Sequence, residues 1–200
     1  MPSGLQLGTG VRVVGTQKQF ATGSIEVTDR PLDMAINGRG FFEILLPDGS
    51  VAYTRNGEFN LSADGDLVTA EGLLLQPNIN IPENTVTVTV SRDGVVSALI
   101  QGNPSPTVAG NLQLSDFLNP AGLQAIGSNL YLETASSGGV TTGTPDGNGF
   151  GSIIQGSVEN SNVNIVEELV GMITTQRAYE MNSKVIQTVD QMLQFVSQTI

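Results

Sequence analysis

The feature that most constrains this chain is a long C-terminal stretch that is nearly free of helix-breaking residues. Between Ile165 and Ile200 there is one glycine, Gly171, and there is no proline. A helix start precedes this stretch, because Asn164 is a favoured N-cap and Glu167 follows at the third helical position, a variant of the capping box. The pattern predicts one helix within residues 161–200, roughly 54 Å long from Ile165 onward.

The apolar residues of this helix recur at intervals of seven. Every seventh position from Ile165 is apolar, and such a repeat predicts a seam that packs against other helices. The partner lies either on the β domain of the same chain, or in another subunit or a segment outside this sequence. We favour the second, since no other amphipathic helix of comparable length is visible here. The predicted packing residues are Ile165, Leu169, Met172, Ile173, Gln176, Arg177, Tyr179, Asn182, Ile186, Val189, Leu193 and Val196.

The middle of the helix, Gln176–Glu180, mixes polar, aromatic and charged residues. One interpretation is a solvated face with one tyrosine in a core. The other is a polar contact between helices, in which Arg177 pairs with a carboxylate or carbonyls of a neighbour and Tyr179 buries its ring with its hydroxyl bonded. Polar residues in a helix seam can fix register and partner, as a repeated assembly requires.

Residues 11–131 have a different texture, with short apolar runs separated by Gly, Asp, Asn and Pro, which is typical of all-β domains. Hairpins are predicted around Asp48-Gly49, Asp64-Gly65 and Asp93-Gly94. Strict alternation over Thr85–Val90 places three valines on one strand face. The fold class is therefore a mainly β domain of short antiparallel strands and hairpins, followed by one long C-terminal α-helix.

The domain organisation follows from these textures. Residues 1–30 are predicted as a connecting extended or β segment, and residues 31–133 as the β-rich domain. Residues 134–160 form a Gly/Ser/Thr-rich loop and connecting segment, in which 134–149 are interpreted as a mobile loop or linker. Residues 161–200 form the helix.

Composition excludes several classes of function. The chain has no Cys and no His, so it lacks the side chains for a disulfide, a thiolate nucleophile, a Cys-based zinc site or a Ser-His-Asp triad. The formal charge is −11 with eight scattered basic residues, which argues against nucleic-acid partners and anionic membrane surfaces. No apolar run is long enough for a transmembrane helix. The N-terminus lacks the features of a cleaved secretory signal peptide.

Three local patterns resemble chemical sites but are better explained as turns and solvated surface. Gly38-Arg39-Gly40 lacks the third glycine and the following helix of a dinucleotide fingerprint. Asp64-Gly65-Asp66 lacks the further ligands of a calcium loop. The carboxylates Asp29, Asp33, Glu43 and Glu58 show no spacing that selects a glycosidase pair. We predict no catalytic, cofactor-binding or metal-binding residues, and the chain is not expected to be an enzyme.

Two blocks resemble the bacterial flagellar rod and hook protein family. Ser161–Leu193 is similar to that family's C-terminal helix, with QRAYE-x-N-x-K at residues 176–184 and D-x-ML at 190–193. Pro31–Gly72 is similar to its LD-x-AI-x-G-x-GFF, YTR-x-G-x-F and G-x-LV block. Residues 2–12, RDGVVS and residues 126–138 resemble the distal rod subunit within the family. The resemblance covers essentially the whole chain.

The resemblance implies a structural subunit that stacks helically into a hollow rod of the basal body, with the helix in the inner layer and the β domain outside. Such subunits leave the cell through the flagellar type III export apparatus, cross the periplasm inside the P and L rings, and transmit torque to the hook. Partners would be copies of itself and proximal rod and hook subunits, without cofactors. The family's N-terminal helical segment, which packs on the C-terminal helix, is expected to precede residue 1.

Other hypotheses remain at this point. Within the family, the chain could be a proximal rod or hook subunit. From a different class, it could be a β-rich secreted binding or adhesin module with a coiled-coil stalk, or an acid-based hydrolase of polysaccharides. A soluble oligomer of defined size would favour the adhesin-like module, whereas a tube would favour the rod.

Overall fold

The computed structural model describes residues 12, 14–15, 18–103 and 105–198. The chain divides into two compact units, Met1–Asn160 and Ser161–Ile200. We call the first the β unit and the second the helical unit. The fold class predicted from the sequence is confirmed, because the described residues of the first unit form antiparallel strands and the second contains a single α-helix.

The described residues form sixteen strands, one short 3-10 helix and one α-helix. In chain order they are β1 (Ile25–Val27), β2 (Met34–Asn37), β3 (Phe42–Leu45), β4 (Val51–Thr54), β5 (Phe59–Leu61), β6 (Leu67–Thr69), β7 (Leu74–Gln76), β8 (Thr85–Val90), β9 (Val95–Ile100), β10 (Thr107–Asn111), β11 (Leu114–Asp116), the 3-10 helix (Pro120–Gly122), β12 (Gln124–Gly127), β13 (Leu130–Leu132), β14 (Thr141–Gly143), β15 (Ser152–Gln155), β16 (Ser157–Glu159) and α1 (Ile165–Gln198).

The strands of the β unit form one large sheet and several small ones. The large sheet has seven strands in the order β12-β13-β4-β3-β7-β6-β5, and a three-stranded sheet has the order β10-β9-β8. Three two-stranded sheets pair β11 with β14, β15 with β2, and β16 with β1. The last strands of the unit thus return to its first strands, and every pairing is antiparallel.

The three hairpins predicted from their turn residues are confirmed as β3–β4, β5–β6 and β8–β9. Gly49, Gly65 and Gly94 in their turns have φ of +84°, +86° and +84°. Side chains with a Cβ rarely adopt this left-handed conformation, so glycine is the residue that allows these tight connections.

The valine face of β8 is only partly buried. Val90 is almost completely buried, whereas Val86 is 66% exposed. A bulge between Thr85 and Thr87 interrupts the register with β9 at the exposed end. The prediction of a shared face follows from the two-residue period of strands, but that period does not determine how far the core extends along the strand.

Two hydrophobic clusters meet at the start of β3. Phe42 lies in the larger cluster and contacts Phe59 edge to face, with ring centroids 5.2 Å apart. Phe41 lies in a smaller, mainly aromatic cluster and contacts Phe117, with centroids 6.0 Å apart. Successive residues of an extended chain point to opposite sides, so this dipeptide anchors both clusters at once.

The prediction of a loop over residues 134–149 is wrong for Thr141–Gly143, which form β14 and pair with β11. Another part of this segment is also held in place: Ser137 is fully buried, and its hydroxyl accepts a hydrogen bond from the Thr134 N–H at 3.0 Å. The Gly/Ser/Thr composition concealed the strand, because β14 is fixed by backbone pairing and carries no alternating apolar residues.

Candidate subunit-packing surface

Helix α1 begins where the sequence predicts. The Asn164 Oδ1 accepts a hydrogen bond from the Val166 N–H at 3.2 Å, and the Glu168 N–H donates to the Asn164 carbonyl at 3.1 Å. The side-chain bond satisfies one of the amides that an α-helix leaves unpaired at its start. Glu167 and Glu168 lie in the first turn, where the helix dipole favours negative charge. The N-cap prediction is confirmed.

The helix has 34 residues and ends at Gln198 within the part of the chain that the structure describes. The prediction extended it to Ile200, and residues 199–200 lie outside the described residues. No helix of the described residues combines the length and apolar character needed to cross a membrane.

Large apolar side chains along α1 are exposed. Ile165 is 71% exposed and Ile186 is 63% exposed, and all residues of the helix whose burial is described fall in the exposed class. Large exposed apolar surfaces mark interaction sites in soluble proteins. The side chains of Leu193 and Val196, which belong to the predicted packing set, lie outside the described residues.

The apolar residues of α1 form two faces rather than one straight stripe. The first, which we call the N-terminal apolar face, comprises Ile165, Val166, Leu169, Val170, Met172 and Ile173. The second, the C-terminal apolar face, comprises Met181, Val185, Ile186, Val189, Met192 and Phe195. With 3.6 residues per turn, the centres of these faces point about 140° apart around the helix axis.

The predicted packing residues are distributed over both faces. Ile165, Leu169, Met172 and Ile173 share the N-terminal apolar face, and Ile186 and Val189 share the C-terminal one. The predicted packing set omits Val166, Val170, Met181, Val185, Met192 and Phe195, which also expose their side chains. Counting a helical period separately in each half of the stretch would have identified them, whereas one seven-residue count from Ile165 did not.

Between the two faces lies the polar segment 174–180. Thr174 and Thr175 both donate their hydroxyl hydrogens to the Gly171 carbonyl, at 2.8 and 2.9 Å, so these groups are satisfied within the helix. Arg177 and Tyr179 are exposed, Tyr179 by 77%. Gln176 and Asn182, the other predicted polar packing residues, are exposed as well.

Two patterns of the β unit that resemble chemical sites form turns in the structure. No group of three His, Cys, Asp or Glu side chains is placed to hold a metal ion in the part of the chain that the structure describes. Asp64-Gly65-Asp66 forms the β5–β6 turn as predicted, and Asp66 accepts a hydrogen bond from the Asn80 amide at 2.9 Å. Gly38 and Gly40 have φ of +123° and +133° and connect β2 to β3.

A β unit with its own core and a helix with exposed apolar side chains are the two parts of a chain suited to a structural role. Two family models match the chain. Residues 35–98 match the flagellar hook protein FlgE/F/G D1 domain, and residues 154–199 match the flagellar basal body rod FlgEFG protein C-terminal region. Neither description names a catalytic activity.

Related proteins are similar in sequence to this chain over nearly its whole length. A flagellar basal-body rod protein FlgG of Buchnera aphidicola subsp. Acyrthosiphon pisum is 54% identical over 198 residues, covering 99% of this chain and 76% of the relative. FlgG of Caulobacter vibrioides is 49% identical with the same coverage, and FlgG of Borreliella burgdorferi is 48% identical over 194 residues, 96% of this chain and 73% of the relative. The chain belongs to the FlgG family of flagellar basal-body rod proteins and is a structural rod subunit.

Proposed function

We propose that copies of this chain pack helically into the hollow distal rod, which crosses the periplasm, transmits torque from the motor to the hook and lets export substrates pass through its lumen. In this arrangement residues 161–200 form the inner layer of the tube and residues 31–133 form the outer β domain. Residues 134–160 include β14, β15 and β16, which pair with β11, β2 and β1, so this segment belongs to the β unit and was wrongly predicted as a connection between the layers. The chain acts as a shaft component and catalyses no reaction.

The observation that carries this proposal is the pair of apolar faces on α1. A single partner helix covers one side of a helix, whereas these faces point about 140° apart. Neighbours on at least two sides are therefore needed to cover both. Contacts that use different surfaces on the two partners, and that do not close into a ring, generate helical filaments. The two faces support an open helical assembly over a closed dimer.

The polar segment between the faces suits a contact that fixes register. Arg177 and Tyr179 carry a guanidinium and a phenol that are exposed in the chain and can bond to a neighbouring helix. Gln176 and Asn182 extend this polar set. We propose that all twelve predicted residues, including Leu193 and Val196, pack against neighbouring subunits.

The proposed partners follow from the position of a distal rod. They are other copies of the chain, proximal rod subunits on one side, hook subunits on the other, the P- and L-ring proteins around it, and the flagellar type III export apparatus that delivers it. The family model over residues 35–98 is described for hook and related proteins, which supports a packing mode shared along the axis. The net charge of −11 and the scattered basic residues argue against a nucleic-acid partner. We also propose that the chain does not insert into a membrane.

Electron cryotomography of cells tests this function. We would delete the gene that encodes the chain and complement it with a copy carrying a short tag in the exposed turn at Asp48-Gly49. The deletion should leave a basal body whose rod stops short of the outer membrane, and complementation should restore it with tag density on the outside of the distal rod. Tag density on the hook or at the motor end would support the hook or proximal rod alternatives. Intact flagella in the deletion strain would contradict the proposal.

A further inference from the structure

The first and last strands of the β unit form one short ribbon. Strand β1 pairs with β16, with Ile25 opposite Glu159 and Val27 opposite Ser157. The ribbon continues by one more bond, in which the Asn160 N–H donates to the Ser24 carbonyl at 2.8 Å. We call residues 23–27 and 157–160 the stem. A two-stranded ribbon is marginally stable alone, so its position depends on what ties it to the rest of the unit.

One arginine ties the stem to the neighbouring strands. The Arg55 Nε donates to the Glu159 Oε2 at 2.9 Å. Its Nη1 donates to the carbonyls of Gly38 at 3.1 Å and Gly40 at 3.0 Å, and its Nη2 donates to the Ile36 carbonyl at 3.3 Å. Arg55 directly follows β4, so its guanidinium connects that end of the large sheet to β2, to the β2–β3 turn and to the stem.

Glu159 extends the same network into the other strand of the stem. Its Oε1 accepts a hydrogen bond from the Gly23 N–H at 2.8 Å. Its Oε2 is the partner of Arg55, so one carboxylate holds both the incoming and the outgoing chain. Glu159 is the last residue of β16, and five residues separate it from Ile165 at the start of α1.

Burial distinguishes this ion pair from the others in the described residues. The side chains of Arg55 and Glu159 are 17% and 10% exposed. The Arg39–Asp116 pair is equally short at 2.8 Å, but its arginine is 65% exposed, and the Arg30–Asp33 pair is longer at 3.6 Å. Exposed pairs hold their side chains weakly, whereas removing one partner of a buried pair leaves an uncompensated charge. The planar fork of arginine also binds several acceptors in a fixed geometry that lysine cannot reproduce.

We propose that Arg55 and Glu159 form a clamp that fixes the stem to the β unit and carries force between the β unit and the segment that leads to α1. This role rests on the proposed function as a torque-transmitting shaft. A stem that moved relative to the rest of the β unit would deform under torque. Part of the torque would then not reach the neighbouring subunit. Arg55 is thus a positioning residue that acts through Glu159 and the stem backbone.

Residue-resolved amide hydrogen exchange on the purified chain tests the clamp without reference to the rod. Arg55→Lys keeps the charge but loses the fork, and the amides of Gly23 and Asn160 should then exchange roughly 10-fold faster. Glu159→Gln keeps the size but leaves Arg55 without its counter-charge, and the same amides should exchange about 100-fold faster. Arg39→Lys is the matched control in an exposed pair, and it should leave these amides unchanged.

Two outcomes of the exchange measurement would overturn the clamp. Unchanged exchange at Gly23 and Asn160 in both Arg55→Lys and Glu159→Gln would mean that the pair does not hold the stem. Equally faster exchange in the distant β8–β9 hairpin would mean that the pair supports the stability of the whole unit and has no local role.

Swimming under load tests the force-bearing role. Cells with Arg55→Lys should swim as the parent strain does in dilute buffer and should slow more steeply as viscosity rises, whereas cells with Arg39→Lys should match the parent throughout. Parental speed at every viscosity, combined with faster stem exchange, would overturn the transmission of force by the clamp. The deletion strain separates this failure from that of the proposed function, because loss of a rod subunit abolishes swimming whatever occupies position 55.

Discussion

The β unit buries its largest apolar side chains, whereas helix α1 exposes them. Phe42, Phe59 and Ile36 in the β unit are completely buried, whereas Ile165 and Ile186 in the helix are mostly exposed. Both regions contain enough apolar residues to build a core. The β unit builds its core within one chain, whereas the apolar side chains of the helix find no cover within the described residues.

This difference assigns separate physical tasks to the two regions. Burial of apolar surface is the main favourable contribution to folding and to association alike. In the β unit that contribution stabilises the subunit before assembly. In the helix, under the proposed packing, that contribution is gained only when neighbours cover both faces, and it would then drive assembly. Substitutions in the two regions should therefore alter different measurements.

The largest effect is expected from a charge on either apolar face of α1. Ile186→Asp on the C-terminal apolar face and Leu169→Asp on the N-terminal one should each abolish motility, because each would place an unpaired charge in a buried interface at a cost of several kcal/mol, roughly 3–5, per subunit. Soft-agar motility and electron microscopy of isolated basal bodies would measure this.

The control for that prediction is Gln187→Asp, which adds the same charge at a neighbouring polar position on the side opposite the C-terminal apolar face. Cells with this variant should remain motile. If one of the two apolar faces tolerated aspartate, the two-sided packing of α1 would be wrong. If both did, the helix would not be the assembly surface.

The next effect separates the core from the helix by stability of the purified chain. Phe42→Ala should lower the free energy of unfolding of the β unit by about 4 kcal/mol, because it removes a fully buried ring and leaves a cavity. Tyr179→Ala in the helix should change it by less than about 0.5 kcal/mol, since that ring is exposed. Urea titration followed by circular dichroism would measure both. Similar losses of unfolding free energy in both variants would contradict the distinction between a buried β-unit core and an exposed helix.

A smaller effect tests the packing of the β-unit backbone. The Met34 N–H donates to the Gly57 carbonyl at 2.9 Å, and a Cβ at Gly57 would lie 1.7 Å from the Met34 carbonyl oxygen. Gly57→Ala should therefore destabilise the β unit by about 3 kcal/mol through displacement of the backbone. Gly139→Ala is the control, because a Cβ there meets nothing within 4 Å. Equal stability of the two variants would contradict the close approach of the backbone at Gly57 to the backbone at Met34.

The smallest effect depends on pH. Burial raises the pKa of Tyr53 to about 12, with further contributions from the carboxylates of Glu43 and Glu133. The unfolded chain ionises this phenol at about pH 10, so the stability that its protonated form provides is complete below that pH and is lost as pH rises toward 12. The urea midpoint of the parent protein should fall between about pH 10 and pH 12. The midpoint of the Tyr53→Phe variant should fall less steeply over the same interval. Parallel curves for the two proteins would show that Tyr53 contributes nothing to the decline.

The sequence was most informative where structure depends on local chemistry. The N-cap at Asn164 and the glycine turns of the three hairpins follow from side chains and backbone preferences within a few residues, and the structure contains them as expected. Strand β14 was missed because its pairing partner lies more than twenty residues away and its own residues carry no apolar alternation.

The candidate surface was only partly predictable for a related reason. The seven-residue count from Ile165 found part of each apolar face but joined them into one seam, and the reversal of side between residues 173 and 181 was overlooked. The Arg55–Glu159 pair was invisible in the sequence, since its members are 104 residues apart and each resembles an ordinary surface charge. The packing of the twelve predicted residues against other subunits stays a prediction.

The most direct test of the central claim compares amide hydrogen exchange in the unassembled chain and in isolated rods. We predict that the strands of the β unit are protected in both states, because their core is complete within one chain. Helix α1 should exchange quickly in the unassembled chain and become protected in the rod, since an isolated helix has little stability without packing on its apolar faces. Strong protection of α1 in the monomeric chain, or no gain of protection on assembly, would contradict the claim that neighbouring subunits complete the helix.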